Sequence, residues 1–255
     1  LDKAPWTAAF KQAIGELKKR DIDLLFCLGR DCSLRLAHLC GVSGAKLRVG
    51  FAREEIAPFN IEVVSQNQDD YEVQQYLALL STIGLEGDIE LLWSLSTDTT
   101  EQVRKRHIDS GLVCNEVVGI DLTRGEGEGL AKSQCDDIVR RVVASGARVL
   151  LFFSLAEKKT VNYLRENYEN KIILCEQDDL LAAAALLESC QVLIACNTEL
   201  LHLAVYLRVP VVGIFAEKTE RWVTADNPAV RIVKVQDLRM VDTSRIVAEI
   251  DDALR

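Results

Sequence analysis

Polar side chains directly follow the apolar run at 191–196, in the segment Asn197-Thr198-Glu199-Leu200-Leu201-His202. Asn197 and Thr198 are both of a type that caps a helix N-terminus, and His202 lies about one turn inside the helix that follows. Such an N-terminus presents unpaired N–H groups and attracts anions. The segment therefore predicts a binding turn, although His202 by itself is more typical of a half-buried histidine with a structural role.

A second polar segment, 121–129, carries glycine at alternate positions after another apolar run. Glycine lets backbone N–H groups approach a phosphate closely. The candidate phosphate loop is Thr123, Arg124 and Gly125, with Lys132 beyond it as a further cation. The spacing is not G-x-G-x-x-G, and Glu126 and Glu128 would repel a phosphate, so an acidic surface loop without a ligand remains the alternative.

A third polar segment, 216–222, follows the apolar run that Pro210 opens. Its Glu217 could accept hydrogen bonds from sugar hydroxyls, and Trp222 could stack on a ring. A solvated turn with one anchoring aromatic side chain explains the same residues equally well.

The elements that must position these segments alternate regularly after residue 115. Strands are predicted at 116–121, 148–154, 171–175, 191–196, 210–215 and 230–235, and helices at 131–145, 157–168, 178–189, 198–207 and 243–254. Strands that are continuous apolar runs, such as 149–153, are typical of a parallel sheet covered on both faces. Because such crossovers are right-handed, we expect a doubly wound, Rossmann-like domain of about six strands over 110–255.

The first third of the chain also alternates, with fewer strands. Helices are predicted at 7–19, 32–40 and 70–83, and strands at 21–28, 47–51 and 61–64. We interpret 1–100 as a partial Rossmann-like domain. The polar stretch 94–106 is interpreted as a linker that runs into a surface helix, and the division between the two α/β lobes is expected between residues 95 and 115.

Composition excludes several classes of function. A net charge of −9 and a pI near 5.0 disfavour nucleic acid as the main partner, and no apolar run approaches the roughly 20 residues of a transmembrane helix. The eight cysteines form no C-x-x-C pair, which indicates reduced thiols in a cytoplasmic protein. His38 and His107 have no partner at ligand spacing, so we expect no metal site. None of the predicted strands is followed by G-x-G-x-x-G, which disfavours a Rossmann oxidoreductase with a nicotinamide cofactor.

The run from Val192 to Phe215 resembles the signature of the bacterial heptosyltransferase family of glycosyltransferases. In that signature a strand ends in Asp-Ser/Thr-Gly, a His follows three residues later, an Ala comes two residues after it, and a strand opened by Pro ends in Phe-Gly. The segments 23–26 and 48–51 are similar to later strands of the family's N-terminal domain. The resemblance thus covers nearly the whole chain.

The resemblance implies a GT-B architecture, in which two Rossmann-like domains face each other across a cleft. It implies a C-terminal domain that binds a nucleotide sugar, an N-terminal domain that receives the acceptor, and inverting transfer of heptose from an ADP-sugar to the lipopolysaccharide core without a metal or other cofactor. The donor-binding residues it implies are Lys132, Asn197, Thr198, Glu199, His202 and Glu217. We expect Asn197 to cap the helix and His202 to lie beside the cleft. A cytoplasmic enzyme with peripheral contact at the inner membrane would fit such an acceptor.

Three residues depart from the signature: Asn197 replaces its Asp, Glu199 its Gly, and Ala216 the Gly after Phe215. The Glu199 carboxylate would compete with a diphosphate at the helix N-terminus. The family's first strand, with the Gly-Asp turn that carries the catalytic carboxylate, is expected upstream of residue 1, so the catalytic residue is unknown. Two hypotheses follow: a glycosyltransferase, or a non-catalytic relative that keeps the fold as a binding or assembly module.

Overall fold

The computed structural model describes residues 7–29, 34–53, 57–64, 72–86, 95–108, 116–124, 129–216 and 229–253. Contacts between Cα atoms divide the chain into two compact units, Leu1–Ile89 and Glu90–Arg255. Each unit contains a parallel sheet with helices, which confirms the predicted α/β class.

The first unit holds a short sheet. Its elements are α1 (Ala8–Lys18), β1 (Leu24–Cys27), α2 (Leu34–Val42), β2 (Leu47–Phe51), β3 (Ile61–Val63) and α3 (Glu72–Ser81). The strands pair in parallel in the order β1-β2-β3. Gly50 on the central strand is required by packing, since a Cβ there would lie 2.5 Å from the ring of Phe59.

The second unit holds the larger sheet. Its helices are α4 (Thr97–Ile108), α5 (Lys132–Ala144), α6 (Lys158–Asn167), α7 (Leu180–Leu187), α8 (Glu199–Tyr206) and α9 (Thr243–Ala253). Its strands are β4 (Val117–Asp121), β5 (Arg148–Phe153), β6 (Ile172–Glu176), β7 (Cys190–Cys196), β8 (Val211–Ala216) and β9 (Val230–Val235). Short 3-10 helices lie at Leu155–Glu157, Glu169–Lys171 and Leu238–Met240.

In the part of the chain that the structure describes, these six strands pair in parallel in the order β6-β5-β4-β7-β8-β9. The chain moves outward from β4 to β6, then returns to the other side of β4 and moves outward again from β7 to β9. Connections therefore leave β4 and β7 in opposite directions. This reversal is the topological switch point of a doubly wound sheet, where ligands of such folds bind in a crevice at the carboxyl ends of the strands.

Alternate strand residues face two separate cores because successive side chains of a strand point to opposite faces. On β5, Leu150 and Phe152 join the core beneath α4, α7 and α8, whereas Val149 and Leu151 join the core beneath α5, α6 and α9. All four are fully buried. A sheet covered on both faces explains why its strands are continuous apolar runs in the sequence.

Helix α4 occupies most of the stretch that the sequence suggested as a linker. Its Val103 is buried in the core beneath α7, the Thr100 hydroxyl donates to Glu188 at 3.3 Å, and the Arg104 Nε donates to Ser189 at 3.0 Å. The helix expected at the end of this stretch is therefore present, but it begins at residue 97, and the interpretation as a linker was wrong for residues 97–106. The polar composition hid this packing, since buried Val103 and polar contacts of Thr100 and Arg104 with Glu188 and Ser189 attach the helix.

None of the helices in the described ranges is both long and apolar enough to cross a membrane.

Candidate functional site

A hydrogen bond joins the carboxyl ends of β4 and β7 at the switch point of the sheet. The Thr198 hydroxyl, just after β7, donates to the Asp121 carboxylate, the last residue of β4, at 2.6 Å. Ligands of doubly wound sheets bind above such a crevice. The structure therefore brings the 121–124 segment and the turn before α8, which the sequence identified separately, into direct contact.

Asp121 is only 3% exposed and gathers hydrogen bonds from three turns. Among the described residues, Oδ1 accepts from the Thr123 amide at 3.0 Å, the Thr123 hydroxyl at 2.7 Å and the Gln177 side-chain amide at 3.2 Å, while Oδ2 accepts from Thr198. Burial raises the pKa of this carboxyl above its ordinary value, and the hydrogen bonds, which favour the ionised form, offset part of that rise. The carboxylate ties together the turns that follow β4, β6 and β7.

Thr198 is the N-cap of α8. Its backbone is extended, with φ −128° and ψ 165°, and its hydroxyl oxygen accepts from the Leu201 amide at 3.4 Å. The prediction that Asn197 caps this helix was wrong. Because α8 begins at Glu199, the residue immediately before it takes the cap position, and Asn197 lies one residue too early.

The Asn197 side chain is nevertheless unusual. Its Oδ1 is buried and has no hydrogen-bond partner among the residues that the structure describes. Buried polar atoms are nearly always paired in native proteins, so an unpaired one needs an explanation. Its place beside the crevice fits an acceptor for a ligand hydroxyl or N–H group.

The first turn of α8 carries two of the predicted site residues. Glu199 is exposed at the first helical position, where its carboxylate interacts favourably with the helix dipole. His202 is half-buried, and burial lowers its pKa below the ordinary value, although the nearby Glu199 carboxylate partly offsets this. His202 is therefore held mainly as neutral imidazole at neutral pH. Its position beside a cleft stays a prediction.

In the loop after β4, the described residues are more ordered than a flexible acidic loop suggests. Thr123 is fixed by its two hydrogen bonds to Asp121, and Arg124 is exposed. The chain passes close to Arg124 again at Gly129, where a Cβ would lie 2.9 Å from the Arg124 Cγ. Gly125, Glu126, Glu128, Glu217 and Trp222 lie outside the described residues.

Lys132 opens α5, and its ammonium lies 3.5 Å from the centroid of the Tyr163 ring on α6. This cation–π contact directs the side chain toward the helices on one face of the sheet, whereas α8 packs on the other face. The structure therefore places Lys132 with Tyr163 and not against the turn at Thr198.

Sequence reasoning missed the roles of Asp121 and Gln177. A carboxylate that ends an apolar strand, with threonine two residues later, is the pattern of a side chain that bonds its own following amide. That signal was present in the sequence. The partners at Gln177 and Thr198 are separated from Asp121 by 56 and 77 residues, and only the topology brings them together.

Comparisons with known proteins agree with this fold. Residues 15–246 match the family model of glycosyltransferase family 9 (heptosyltransferase). None of the curated proteins matches the chain in sequence.

Solved structures share the fold at low sequence identity. A glycosyl transferase of family 9 from Veillonella parvula superposes with a TM-score of 0.80 at 13% identity, covering 96% of this chain and 78% of that one. The E. coli ADP-heptose lps heptosyltransferase II gives 0.74 at 16% identity, with 96% and 80% covered, and E. coli heptosyltransferase WaaC with ADP gives 0.71 at 13%, with 98% and 80% covered.

At this identity the structures show the GT-B fold, and the match over 15–246 shows the family. The chain, with its doubly wound six-stranded sheet among the described residues and its polar crevice at the switch point, belongs to glycosyltransferase family 9, the heptosyltransferase family.

Proposed function

We propose that this chain transfers a sugar from an ADP-heptose-like nucleotide donor to a lipopolysaccharide core or a related glycan. In this proposal 110–255 binds the donor and 1–100 forms the partial acceptor-side domain. The E. coli relatives are named for ADP-heptose or were solved with ADP, which supports an adenine nucleotide as the donor. The observation that carries the proposal is the α8 N-terminus at the switch point, with the unpaired Asn197 oxygen beside it.

The donor diphosphate would bind at the first turn of α8. The cap hydroxyl of Thr198 accepts from Leu201, the third amide of the helix. The first amides of a helix, here those of Glu199 and Leu200, have no partner within the helix and can donate to an anion. An N-terminus with a neutral cap is suited to an external anion because no charge of its own cap satisfies the dipole. Asn197 would accept from a hydroxyl of the donor.

The remaining donor-site residues of the proposal are Thr123, Arg124, Gly125, Lys132, His202 and Glu217. In inverting transfer the leaving diphosphate is stabilised by N–H groups and cations, while a base takes the proton of the acceptor hydroxyl. Here α8 and Arg124 would stabilise the leaving group, and Lys132 would do so after leaving Tyr163. The base is not assigned to any residue of this chain.

A second candidate function rests on Glu199. This exposed carboxylate lies at the same helix end that a diphosphate would approach, so it favours a non-catalytic relative that keeps the fold as a binding or assembly module. At about 4 Å and an effective dielectric constant near 20, two unit charges repel by about 4 kcal/mol before screening. Exposure reduces this strongly, and a remaining fraction of about 1.4 kcal/mol corresponds to tenfold in affinity.

Isothermal titration calorimetry of ADP, UDP and an ADP-sugar against wild type, Glu199→Gly and Glu199→Gln tests both functions. We expect wild type to bind ADP and both variants to bind it about tenfold more tightly. Asp179→Asn is the matched control, since it removes one carboxylate charge from the neighbouring α7 N-terminus. If neither wild type nor the variants bind any nucleotide, the non-catalytic function is favoured. Tight wild-type binding that Glu199 variants leave unchanged would refute the repulsion and strengthen the transferase.

The proposal includes a cytoplasmic location with peripheral contact to the inner membrane, where a lipid-linked acceptor would lie.

A further inference from the structure

Burial of the Asp121 carboxylate at the end of β4 costs free energy. It ends a strand whose other residues are apolar or glycine and wholly buried, and a buried carboxylate is tolerated only with several hydrogen bonds. The carboxyl end of a central strand does not require a carboxylate, since the adjacent β7 ends in the apolar, buried Cys196. Holding β4 in the sheet therefore does not by itself explain why a carboxylate is buried at this position.

Its hydrogen bonds connect the two elements on either side of the switch-point crevice. Oδ1 holds the backbone and the hydroxyl of Thr123, at the start of the loop after β4, and Oδ2 holds the cap hydroxyl of α8. Gln177 adds a third anchor: its side-chain amide donates to Asp121, while its backbone N–H donates to the Phe153 carbonyl at the end of β5 at 2.8 Å. One side chain thus fixes the spacing between the loop and the helix N-terminus.

We propose that Asp121 is a positioning residue for nucleotide binding: it clamps Thr123 and Thr198 so that Thr123, Arg124 and the first turn of α8 bind one diphosphate at a fixed separation. The inference rests on the proposed function. Since Asp121 is buried, it acts through the two threonines and does not touch the ligand.

The bond to Asp121 also sets the direction of the Thr198 hydroxyl. A hydroxyl has one proton to donate, and here it goes to Oδ2, so a lone pair faces the Leu201 amide. Without the carboxylate the hydroxyl can rotate and donate to a backbone carbonyl or to the ligand. The cap and the diphosphate site would then lose their common geometry.

Calorimetry with ADP on five variants separates this role from ordinary stabilisation. We expect Asp121→Ala and Thr198→Val each to weaken ADP binding about tenfold, and the double variant to bind no more weakly than the worse single variant, because both remove one interaction. Thr198→Ser keeps the hydroxyl and should bind as wild type does. Asp179→Ala removes the cap of α7, outside the crevice, and should leave the affinity unchanged.

Amide hydrogen exchange on the ligand-free chain provides a second readout. Asp121→Ala should lose protection at both Thr123 and Leu201, whereas Asp179→Ala should lose it only at the start of α7. If Asp121→Ala does not fold, Asp121→Asn takes its place, since its single carbonyl oxygen can serve only one of the two threonines well.

The possible failures are distinct. Additive losses in the double variant, or a folded Asp121→Ala with wild-type affinity, overturn the clamp and leave the proposed function intact. A wild-type chain that binds no nucleotide overturns the proposed function, and with it the role of the clamp in binding.

Discussion

Helices α7 and α8 both begin at the carboxyl edge of the larger sheet and pack on the same face, yet their N-termini are built differently. The cap of α7 is the exposed carboxylate of Asp179, which accepts from the amides of Leu181 and Ala182 at 2.9 and 3.3 Å. The cap of α8 is the buried hydroxyl of Thr198. In α7 the negative charge caps the helix directly, whereas in α8 it lies one layer behind the cap, on Asp121.

In our proposal this difference determines which N-terminus receives an anion. At α7 the cap carboxylate occupies the amides and satisfies the dipole, so an external phosphate would meet a charge of its own sign. At α8 the neutral cap leaves the dipole for a ligand, and the buried carboxylate fixes the geometry from beneath. Glu199 weakens the attraction of the α8 N-terminus for an anion, because it adds an exposed negative charge beside the same turn.

The largest expected effect comes from removing each carboxylate in turn. Asp121→Ala leaves the buried Thr198 hydroxyl and the Gln177 amide without their acceptor, and should lower the free energy of unfolding by about 2–4 kcal/mol. Asp179→Ala removes an exposed cap and should cost about 1 kcal/mol. Urea denaturation of both variants measures the difference. Equal decreases in the free energy of unfolding would show that Asp121 stabilises the fold no more than an exposed helix cap does.

The pH dependence of stability sharpens the same contrast. Because burial raises the pKa of Asp121 above 3.8 in the folded chain, the folded state binds more protons than the unfolded state above that pH. The contribution of this group is therefore most favourable below pH 3.8 and is lost as pH rises through the folded-state pKa, with a slope of at most about 1.4 kcal/mol per pH unit.

Asp121→Asn should remove this slope from the unfolding free energy measured as a function of pH, while Asp179→Asn should leave it in place. A wild-type profile with the same slope as Asp121→Asn would mean that the carboxyl ionises in the folded chain as readily as in the unfolded one.

The fold was more predictable than the floor of the site. Continuous apolar runs at 149–153 and 192–196 identified parallel strands, because a sheet covered on both faces leaves that pattern in the sequence. The choice between Asn197 and Thr198 as the cap depended on where α8 begins, and a shift of one residue reversed it. The Asp121 bond to Thr198 spans 77 residues and depends on β4 and β7 being neighbours, which local patterns do not record.

A smaller effect is expected from salt. The repulsion between Glu199 and a diphosphate is screened over about 10 Å at 0.1 M ionic strength, so the gain in ADP affinity of Glu199→Gln should shrink as salt rises. Calorimetry at 0.02 M and at about 0.5 M salt measures this change, with Asp179→Asn again as the control. A gain that does not depend on salt would point to a change in the shape of the turn and not to charge.

The smallest effect concerns the fourth residue of each helix, which is Ala183 in α7 and His202 in α8. Burial holds the pKa of His202 below 6.5, so the folded chain binds fewer protons than the unfolded chain as pH falls below 6.5, and its stability declines there.

A diphosphate at the turn would favour the protonated imidazole of His202, so ADP affinity should rise as pH falls over the same range. His202→Gln should abolish both trends, each worth less than about 1.4 kcal/mol per pH unit. Denaturation and ADP titrations between pH 5.5 and 7.5 measure them. Opposite slopes in wild type that vanish together in the variant would place His202 at the ligand, whereas a loss of the stability slope alone would make it a half-buried structural histidine.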